Sequence, residues 1–180
     1  MIRIIAFAGK ATGGKSTAAK YIKSLARKDK LPCTIIPFAK PLKQLAKKIG
    51  WNGVKDDKGR RILQLLGTEI GRQLIDQDIW VKHWWDAVLK FAKKHNDNCL
   101  IIVDDCRFDN EGLKVLDNKG KVVCLLGRAS LIGEAETHAS EMGLDAELIS
   151  SYMDNSGSIE DLHAKLDELY KTYVYLGEVK

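Results

Sequence analysis

The stretch that decides the fold of this 180-residue chain reads Gly9-Lys10-Ala11-Thr12-Gly13-Gly14-Lys15-Ser16. It follows an apolar run, Ile2–Ala8, that predicts a β-strand, and it leads into a helical pattern over Lys15–Arg27. All fixed positions of the GxxxxGK[ST] motif are present, between a strand and a helix as the motif requires. We therefore predict a P-loop, whose backbone amides surround the phosphates of a nucleotide at a helix N-terminus.

The residue types in this glycine-rich loop each suit one part of a nucleoside triphosphate. Lys15 is predicted to neutralise charge between the β- and γ-phosphates, Ser16 to ligate Mg²⁺, and Thr17 to contact the α-phosphate. The predicted nucleotide-binding residues are Gly9, Lys10, Ala11, Thr12, Gly13, Gly14, Lys15, Ser16 and Thr17. The alternative is a turn that only connects a strand to a helix. The motif alone does not separate hydrolases, switches, motors and kinases.

The rest of the chain predicts a P-loop NTPase fold of three α/β/α layers, with a central parallel sheet and a small lid segment. Strands alternate with helices, as in doubly wound sheets. Further strands are predicted at Cys33–Pro37, Leu100–Val103 and Lys121–Leu126. Helices are predicted at Leu42–Ile49, from Arg60 to about Gly71, and at Trp80–Lys94, Asn110–Asn118 and Ile159–Tyr173. Trp51–Gly59 is predicted to be a loop, and Leu131–Ser151 shows no strand signal. Residues 1–180 are predicted to form one domain.

Composition limits the classes of partner. The chain carries 29 basic and 24 acidic residues, a net charge of +5, which suits a protein that binds anionic nucleotides and does not require a nucleic-acid partner. Four scattered cysteines indicate a reducing, cytoplasmic setting, the host cytoplasm if the protein is virus-encoded. No apolar run reaches the length of a membrane span, so no membrane partner is expected. A homodimer is compatible with the sequence.

A pair of acids follows the third predicted strand, where P-loop proteins place an acid that holds Mg²⁺. Alternation along the strand allows only one of Asp104 and Asp105 to face the glycine-rich loop. We predict Asp105 as the metal ligand, together with Ser16. The alternative for both acids is turn or capping chemistry. Arg107 follows closely and is predicted to reach phosphate or to pair with either acid.

Several blocks follow the loop in a fixed order. They are Phe38-Ala39-Lys40-Pro41-Leu42-Lys43, the stretch from Arg60 to Arg72, Asp78-Ile79-Trp80-Val81, the stretch from Asp105 to Glu111, His138-Ala139-Ser140-Glu141 and Asn155-Ser156-Gly157. This ordered set resembles the phage-type deoxynucleoside monophosphate kinases of the P-loop nucleoside-monophosphate-kinase superfamily. The resemblance implies ATP- and Mg²⁺-dependent phosphoryl transfer to a (deoxy)nucleoside monophosphate, which gives the diphosphate.

The resemblance also implies where the two nucleotides bind. It places the acceptor at residues of about 38–85 and a lid at about 129–151. The implied acceptor-binding residues are Phe38, Lys40, Arg61, Glu69, Arg72, Trp80, Asp105 and Arg107, with Glu69 orienting an arginine. Arg128 and Asn155 are implied on the ATP side, and the catalytic set is Lys15, Arg72, Arg107 and Arg128. The alternatives are that these arginines lie on a solvated helix face and that the tryptophans belong to the core.

One position departs from the family pattern, which has an acid where this chain has Lys40. The change puts the identity of the acceptor in question more than the reaction class. Two rival functions remain open. One is a P-loop kinase of another small phosphorylated acceptor, dephospho-CoA-like or phosphomevalonate-like. The other is a nucleic-acid-linked P-loop NTPase, which would hydrolyse ATP in response to DNA or RNA. A silent nucleotide-binding subunit is disfavoured by the intact Lys15, Ser16 and Asp105.

Overall fold

A computed structural model of the chain describes residues 1–127 and 143–175. Its centre is a sheet of five parallel strands in the order β2-β3-β1-β4-β5. The strands are β1 Ile2–Ala8, β2 Cys33–Ile35, β3 Cys99–Val103, β4 Lys121–Leu126 and β5 Ser151–Asp154. The predicted α/β P-loop fold is therefore confirmed, because every described strand pair is parallel and each crossover carries a described helix, which in the last one is the short 3₁₀-helix Ala146–Leu148.

Six α-helices are described around this sheet. They are α1 Lys15–Lys28, α2 Lys40–Lys48, α3 Asp57–Gln64, α4 Ile79–Lys93, α5 Asp109–Asp117 and α6 Ile159–Tyr170. A π-helix, Leu65–Ile75, continues directly from α3, and a π-helical turn, Lys171–Tyr175, continues from α6. None of the described helices is both long enough and apolar enough to cross a bilayer.

Strand β1 shows why the sheet needs helices on both faces. Its side chains alternate between two cores: Ile4 and Ala6 pack on the side of α4 and α5, whereas Ile5 and Phe7 pack on the side of α1 and α6. All four side chains are fully buried. A strand buried on both faces reads as a continuous apolar run, which is why its bounds could be predicted from the sequence.

The sheet aligns the two segments that were expected to bind phosphate and metal. β1 and β3 are neighbours, and Ala6 pairs with Val103 near the carboxyl ends of both strands. The glycine-rich loop follows β1, and Asp104 and Asp105 follow β3. In open α/β sheets, ligands bind outside the carboxyl ends of the strands. The fold therefore brings the loop and the acidic pair together at the carboxyl ends of the strands.

Three elements differ from the sequence prediction. β5 was not predicted, because it is a short edge strand whose side chains are mostly exposed and lack an apolar pattern. α3 begins at Asp57, inside the predicted loop, where the Asp56 side chain caps it by accepting from the Gly59 amide at 2.7 Å. The helix expected to end near Gly71 runs on as the π-helix to Ile75.

The predicted lid at about 129–151 is only partly described. Residues 128–142 lie outside the described ranges, and His138, Ser140 and Glu141 are among them. The end of the segment is attached to the sheet: the Ser150 amide donates to Val122 O at 2.8 Å, and the Asp145 amide donates to Asp109 Oδ1 at 3.0 Å. Residues 145–150 are thus fixed to α5 and β4.

Candidate active site

The glycine-rich loop adopts a backbone that depends on two of its glycines. Gly9 has φ of +117°, and a Cβ there would lie 2.5 Å from Leu125 O. Gly14, the N-cap of α1, has φ of +92°, and a Cβ there would lie 2.5 Å from Asn155 Nδ2. Side chains rarely adopt such φ values, and neither position has room for one. The motif glycines are therefore required by local geometry.

Two polar side chains, Lys15 and Asn155, donate hydrogen bonds to carbonyl groups of this loop. Lys15 Nζ donates to Gly9 O and to Lys10 O, both at 2.6 Å. Asn155, which the resemblance implied as nucleotide-binding, is buried and donates from Nδ2 to Gly13 O at 3.0 Å. Asn155 therefore supports the loop backbone, a role that requires no contact with a nucleotide.

The acidic pair is arranged differently from the prediction. The Ser16 hydroxyl donates to Asp104 Oδ2 at 2.8 Å, so Asp104 faces the loop. Asp105 instead accepts from the amides of Phe38 and Ala39, at 2.7 and 3.1 Å. The predicted placement of Asp105 beside Ser16 is wrong, because the alternation that directs one acid to the loop directs the next one away from it.

Asp105 has a structural task at the start of the acceptor region. Its two hydrogen bonds tie the segment before α2 to the end of β3. Burial is the main cause that raises the pKa of Asp105, and the charge of Asp104 adds to the effect. The backbone donors and Lys43 act in the opposite direction. Asp105 therefore fixes the position of α2 relative to the glycine-rich loop.

A single cavity of about 660 Å³ extends from the glycine-rich loop to α2, α3, the π-helix and α5. Its volume is in the range of small-molecule sites. Six basic side chains line it, namely Lys15, Lys43, Lys55, Arg60, Arg72 and Arg107. Three acidic ones do so as well, namely Asp104, Asp105 and Glu111. The excess of positive charge favours anionic ligands.

Arg72 is held by the protein on several sides. Its Nη2 donates to Glu111 Oε1 at 2.6 Å, and its Nη1 donates to Gln77 O at 3.1 Å and Asn110 Oδ1 at 3.2 Å. The guanidinium carbon also lies 3.9 Å from the ring centre of Phe108, a cation–π contact. Only 8% of the Arg72 side chain and 4% of the Glu111 side chain are exposed. This is a buried ion pair in the cavity wall.

Glu111 joins this ion pair to the turn that follows β3. Its Oε2 accepts from the amides of Arg107 and Phe108 at 2.8 and 3.2 Å, which fixes the turn that carries the Arg107 side chain into the cavity. Burial, reinforced by the charge of Asp105, raises the pKa of Glu111 to about 7. Arg72 and the two amides oppose that rise.

Phe38 and Trp80, two aromatic residues of the acceptor region, line the cavity and are also buried. Trp80 is buried and donates from Nε1 to Gly67 O in the π-helix at 2.8 Å. Phe38 is buried, and its ring centre lies 4.5 Å from that of Trp84. A π-helix leaves some backbone carbonyls without a well-placed hydrogen-bond donor, and π-helical segments are frequent at functional sites. The hydrogen bond from Trp80 to Gly67 O stabilises the π-helix here.

The structure does not bring every predicted site residue to the cavity. Arg61 and Glu69 pair with each other at 3.2 Å, but neither lines it, and 61% of the Arg61 side chain is exposed. Lys40 is exposed and is also absent from the lining. Arg128 lies outside the described ranges. The predicted residues that do line the cavity are Ala11, Thr12, Gly13, Gly14, Lys15, Ser16, Thr17, Phe38, Arg72, Trp80, Asp105 and Arg107.

Lys40 stands at the first position of α2, where a positive charge opposes the helix dipole. We expect Lys40→Asp to raise the free energy of unfolding by about 0.3–1 kcal/mol in low salt. Lys48→Asp, the matched change at the other end of α2, should lower it, because acids are unfavourable at a helix C-terminus. Urea unfolding of both variants measures this, and equal shifts of the same sign would contradict it.

Several cavity residues were not predicted as site residues. Asp104 is one of the acidic pair after β3, and Glu111 belongs to the stretch from Asp105 to Glu111 that carries the family resemblance. Lys55 gave no signal as a ligand, because the chain between residues 51 and 59 looked like a plain polar loop. Arg60, Gln64 and Thr68 fall in the helix predicted from Arg60 to about Gly71, at a spacing of four residues that places them on one helical face. That shared face is the signal that could have indicated them.

The residues at the loop fit a nucleoside triphosphate with magnesium. Mg²⁺ is usually held by one or two protein oxygens together with phosphates and water. The Ser16 hydroxyl and the Asp104 carboxylate supply such a pair, 2.8 Å apart. Within residues 1–127 and 143–175, no cluster of three or more His, Cys, Asp or Glu side chains could hold a metal alone.

Two sequence comparisons point to the same group of enzymes. A family model described as Deoxynucleotide monophosphate kinase matches residues 43–166. A stretch of 101 residues, 53% of this chain, is 31% identical to the Deoxynucleoside-5'-monophosphate kinase of Escherichia phage T5. The chain spans only 38% of the length of that relative.

A structural comparison covers almost the whole molecule. A mutant of the Mycobacterium tuberculosis APS kinase CysC matches with a TM-score of 0.49 at 11% identity, over 94% of this chain and 96% of that one. The family assignment rests on the sequence. Since the family model covers well over half of the 180 residues, from α2 into α6, this chain belongs to the deoxynucleotide monophosphate kinase family.

Proposed function

We propose that this protein transfers the γ-phosphoryl group of ATP, in the presence of Mg²⁺, to a deoxynucleoside monophosphate and releases ADP and the diphosphate. One observation carries this proposal. The cavity that begins at the glycine-rich loop continues into a second region lined by Lys43, Lys55, Arg60, Arg72 and Arg107. A hydrolase that activates water needs no such second basic region, whereas a kinase with an anionic acceptor does.

The chain's own residues supply positioning and charge. Lys15 is proposed to contact the β- and γ-phosphates, and Ser16 and Asp104 to hold Mg²⁺, which supplies further charge neutralisation. The bond between the γ-phosphorus and the bridging oxygen of ADP breaks as a bond to an acceptor phosphate oxygen forms. That oxygen is already anionic, so no general base is needed. Arg107 and Arg72 are proposed to face the transferring group, and Arg128 is proposed, as the family resemblance implies, to contact ATP.

The proposal also covers the domain organisation, the lid, the cellular location and the oligomeric state. A single domain of residues 1–180 binds the acceptor at about 38–85, and the lid segment at about 129–151 covers the reaction. The exclusion of water by such a segment would favour transfer over hydrolysis. The reaction is expected in the cytoplasm, and a homodimer is compatible with it.

A coupled assay of ADP release tests the function directly. The purified protein is supplied with ATP, Mg²⁺ and, in turn, each common deoxynucleoside and ribonucleoside monophosphate. We expect ADP release that requires one or more of the deoxynucleoside monophosphates, with matching formation of the diphosphate. Release of ADP at the same rate without any acceptor, or only with DNA or RNA present, would refute the proposal.

A further inference from the structure

Lys43 and Lys55 are two lysines of the second region without an ion-pair partner among the described residues. Lys43 is half-buried on α2, Lys55 is exposed in the loop before α3, and both line the cavity. Within residues 1–127 and 143–175, neither ammonium group lies within ion-pair distance of a carboxylate. A half-buried lysine such as Lys43 is normally paired, so its charge is available to an anion.

The two lysines also lie close enough to disturb each other. The pKa of Lys55 is lowered, and the largest cause is the charge of Lys43, followed by partial burial and by Arg107. Arg60 adds a smaller effect in the same direction, and Asp105 alone opposes it. Like charges gathered in a cleft cost free energy that a bound anion would relieve. Thus the crowding indicates a site for an anion.

Arg72 is one of the two arginines, with Arg61, that the resemblance implied for this anion, and its surroundings argue against it. Its positive charge is already balanced by Glu111 at 2.6 Å. Both hydrogens of its Nη1 are engaged by Gln77 O and Asn110 Oδ1. Only part of the guanidinium edge remains for a ligand, so Arg72 can offer a hydrogen bond to the transferring group but little uncompensated charge to the acceptor phosphate.

The backbone places Lys43 firmly relative to the glycine-rich loop. Asp105 accepts from the amides of Phe38 and Ala39, directly before α2. The Lys43 amide then donates to Ala39 O at 3.0 Å, so Lys43 stands one helical turn beyond the anchored residues. The chain from β3 through Asp105 to α2 is therefore a continuous support for this ammonium group.

We propose that Lys43 and Lys55 together bind the 5′-phosphate of the acceptor nucleotide. This inference rests on the proposed function and assigns the acceptor phosphate to two lysines that have no ion-pair partner within residues 1–127 and 143–175. A phosphate monoester has a charge of about −1.5 to −2 at pH 7, which two ammonium groups match. Their flexible stems allow the phosphate to approach the γ-phosphorus without losing its counter-charges.

Equilibrium binding tests whether the two lysines bind the phosphate of the acceptor rather than its nucleoside or ATP. Isothermal titration measures the dissociation constants of a deoxynucleoside monophosphate and of its deoxynucleoside, and their ratio gives the contribution of the phosphate. In Lys43→Ala/Lys55→Ala we expect this ratio to shrink by about 10- to 100-fold, with deoxynucleoside and ATP binding unchanged. Lys43→Arg/Lys55→Arg, which retains both charges, should keep this ratio close to that of the unmodified protein.

The matched control is Lys48→Ala/Lys58→Ala, which removes two exposed lysines from α2 and α3 that do not line the cavity. The inference is overturned if both alanine pairs give the same ratio, or if Lys43→Ala/Lys55→Ala weakens ATP binding instead. Absence of monophosphate binding by the unmodified protein would overturn both this inference and the proposed function. If the monophosphate binds with the expected dependence on the two lysines but no ADP is released, the proposed function alone is refuted.

Discussion

Replacing Lys15 by alanine is expected to lower the rate of phosphoryl transfer by about 100- to 1000-fold, while the protein remains folded. This is the usual loss when one preorganised group that stabilises transition-state charge is removed. Lys15 is the fixed lysine of the motif and the first residue of α1. Its ammonium contacts two loop carbonyls, Gly9 O and Lys10 O, and is therefore already positioned within the loop.

Lys20→Ala is the matched control for this experiment. Lys20 is an exposed lysine on the same helix, α1, and it does not line the cavity. Both variants are compared with the unmodified protein for ATP affinity, for acceptor-dependent ADP release and for urea unfolding. If Lys15→Ala matches Lys20→Ala in affinity and turnover, the assignment of this loop to the nucleotide phosphates is wrong.

The fold could be predicted where a segment's own sequence determines its structure. The bounds of β1 and β4 agree with the sequence prediction because both strands are buried and read as apolar runs bordered by polar residues. The glycine-rich loop is also determined by its own sequence, because Gly9 and Gly14 supply the positive φ angles that its backbone needs. β5 depends instead on pairing with β4 and has little apolar pattern of its own, so no local signal revealed it.

The site could be predicted only in part, because its key contacts join distant segments. Which of Asp104 and Asp105 faces Ser16 depends on how β3 lies against β1, and the order of residues does not state it. The partner of Arg72 is Glu111, 39 positions away, whereas Glu69, the glutamate implied to orient an arginine, pairs with Arg61. The π-helix that contains Arg72 changes which residues share its face, and helical periodicity does not anticipate it.

Replacing Arg72 by alanine is expected to lower the free energy of unfolding by about 3–5 kcal/mol at pH 8. Removal of one member of a buried ion pair leaves the other as an uncompensated charge. Here that charge is the Glu111 carboxylate, 4% exposed. The pairing of Glu111 with the Arg107 and Phe108 amides means that the turn after β3 is disturbed as well. Urea unfolding at constant ionic strength measures the loss.

Arg61→Ala provides the control within the same chain. Arg61 also pairs with a glutamate, at 3.2 Å, but its side chain is 61% exposed. Exposed pairs contribute at most about 1 kcal/mol, so this variant should remain close to the unmodified protein. A loss below about 1 kcal/mol for Arg72→Ala as well would show that burial of the Glu111 pair does not matter for stability. The double variant Arg72→Met/Glu111→Leu should recover most of the loss, because no buried charge is left unpaired.

The pH dependence of this loss distinguishes a lost ion pair from lost packing. The pKa of Glu111 is about 7 in the folded protein, above the ordinary glutamate value, so its protonation favours folding. That contribution is full below the ordinary value and disappears as the pH rises through about 7. Without Arg72 the folded-state pKa rises further, so the stability of the variant continues to fall at pH values where that of the unmodified protein has levelled off. The difference between the two should therefore grow above pH 7, whereas a loss due to packing alone would be the same at every pH.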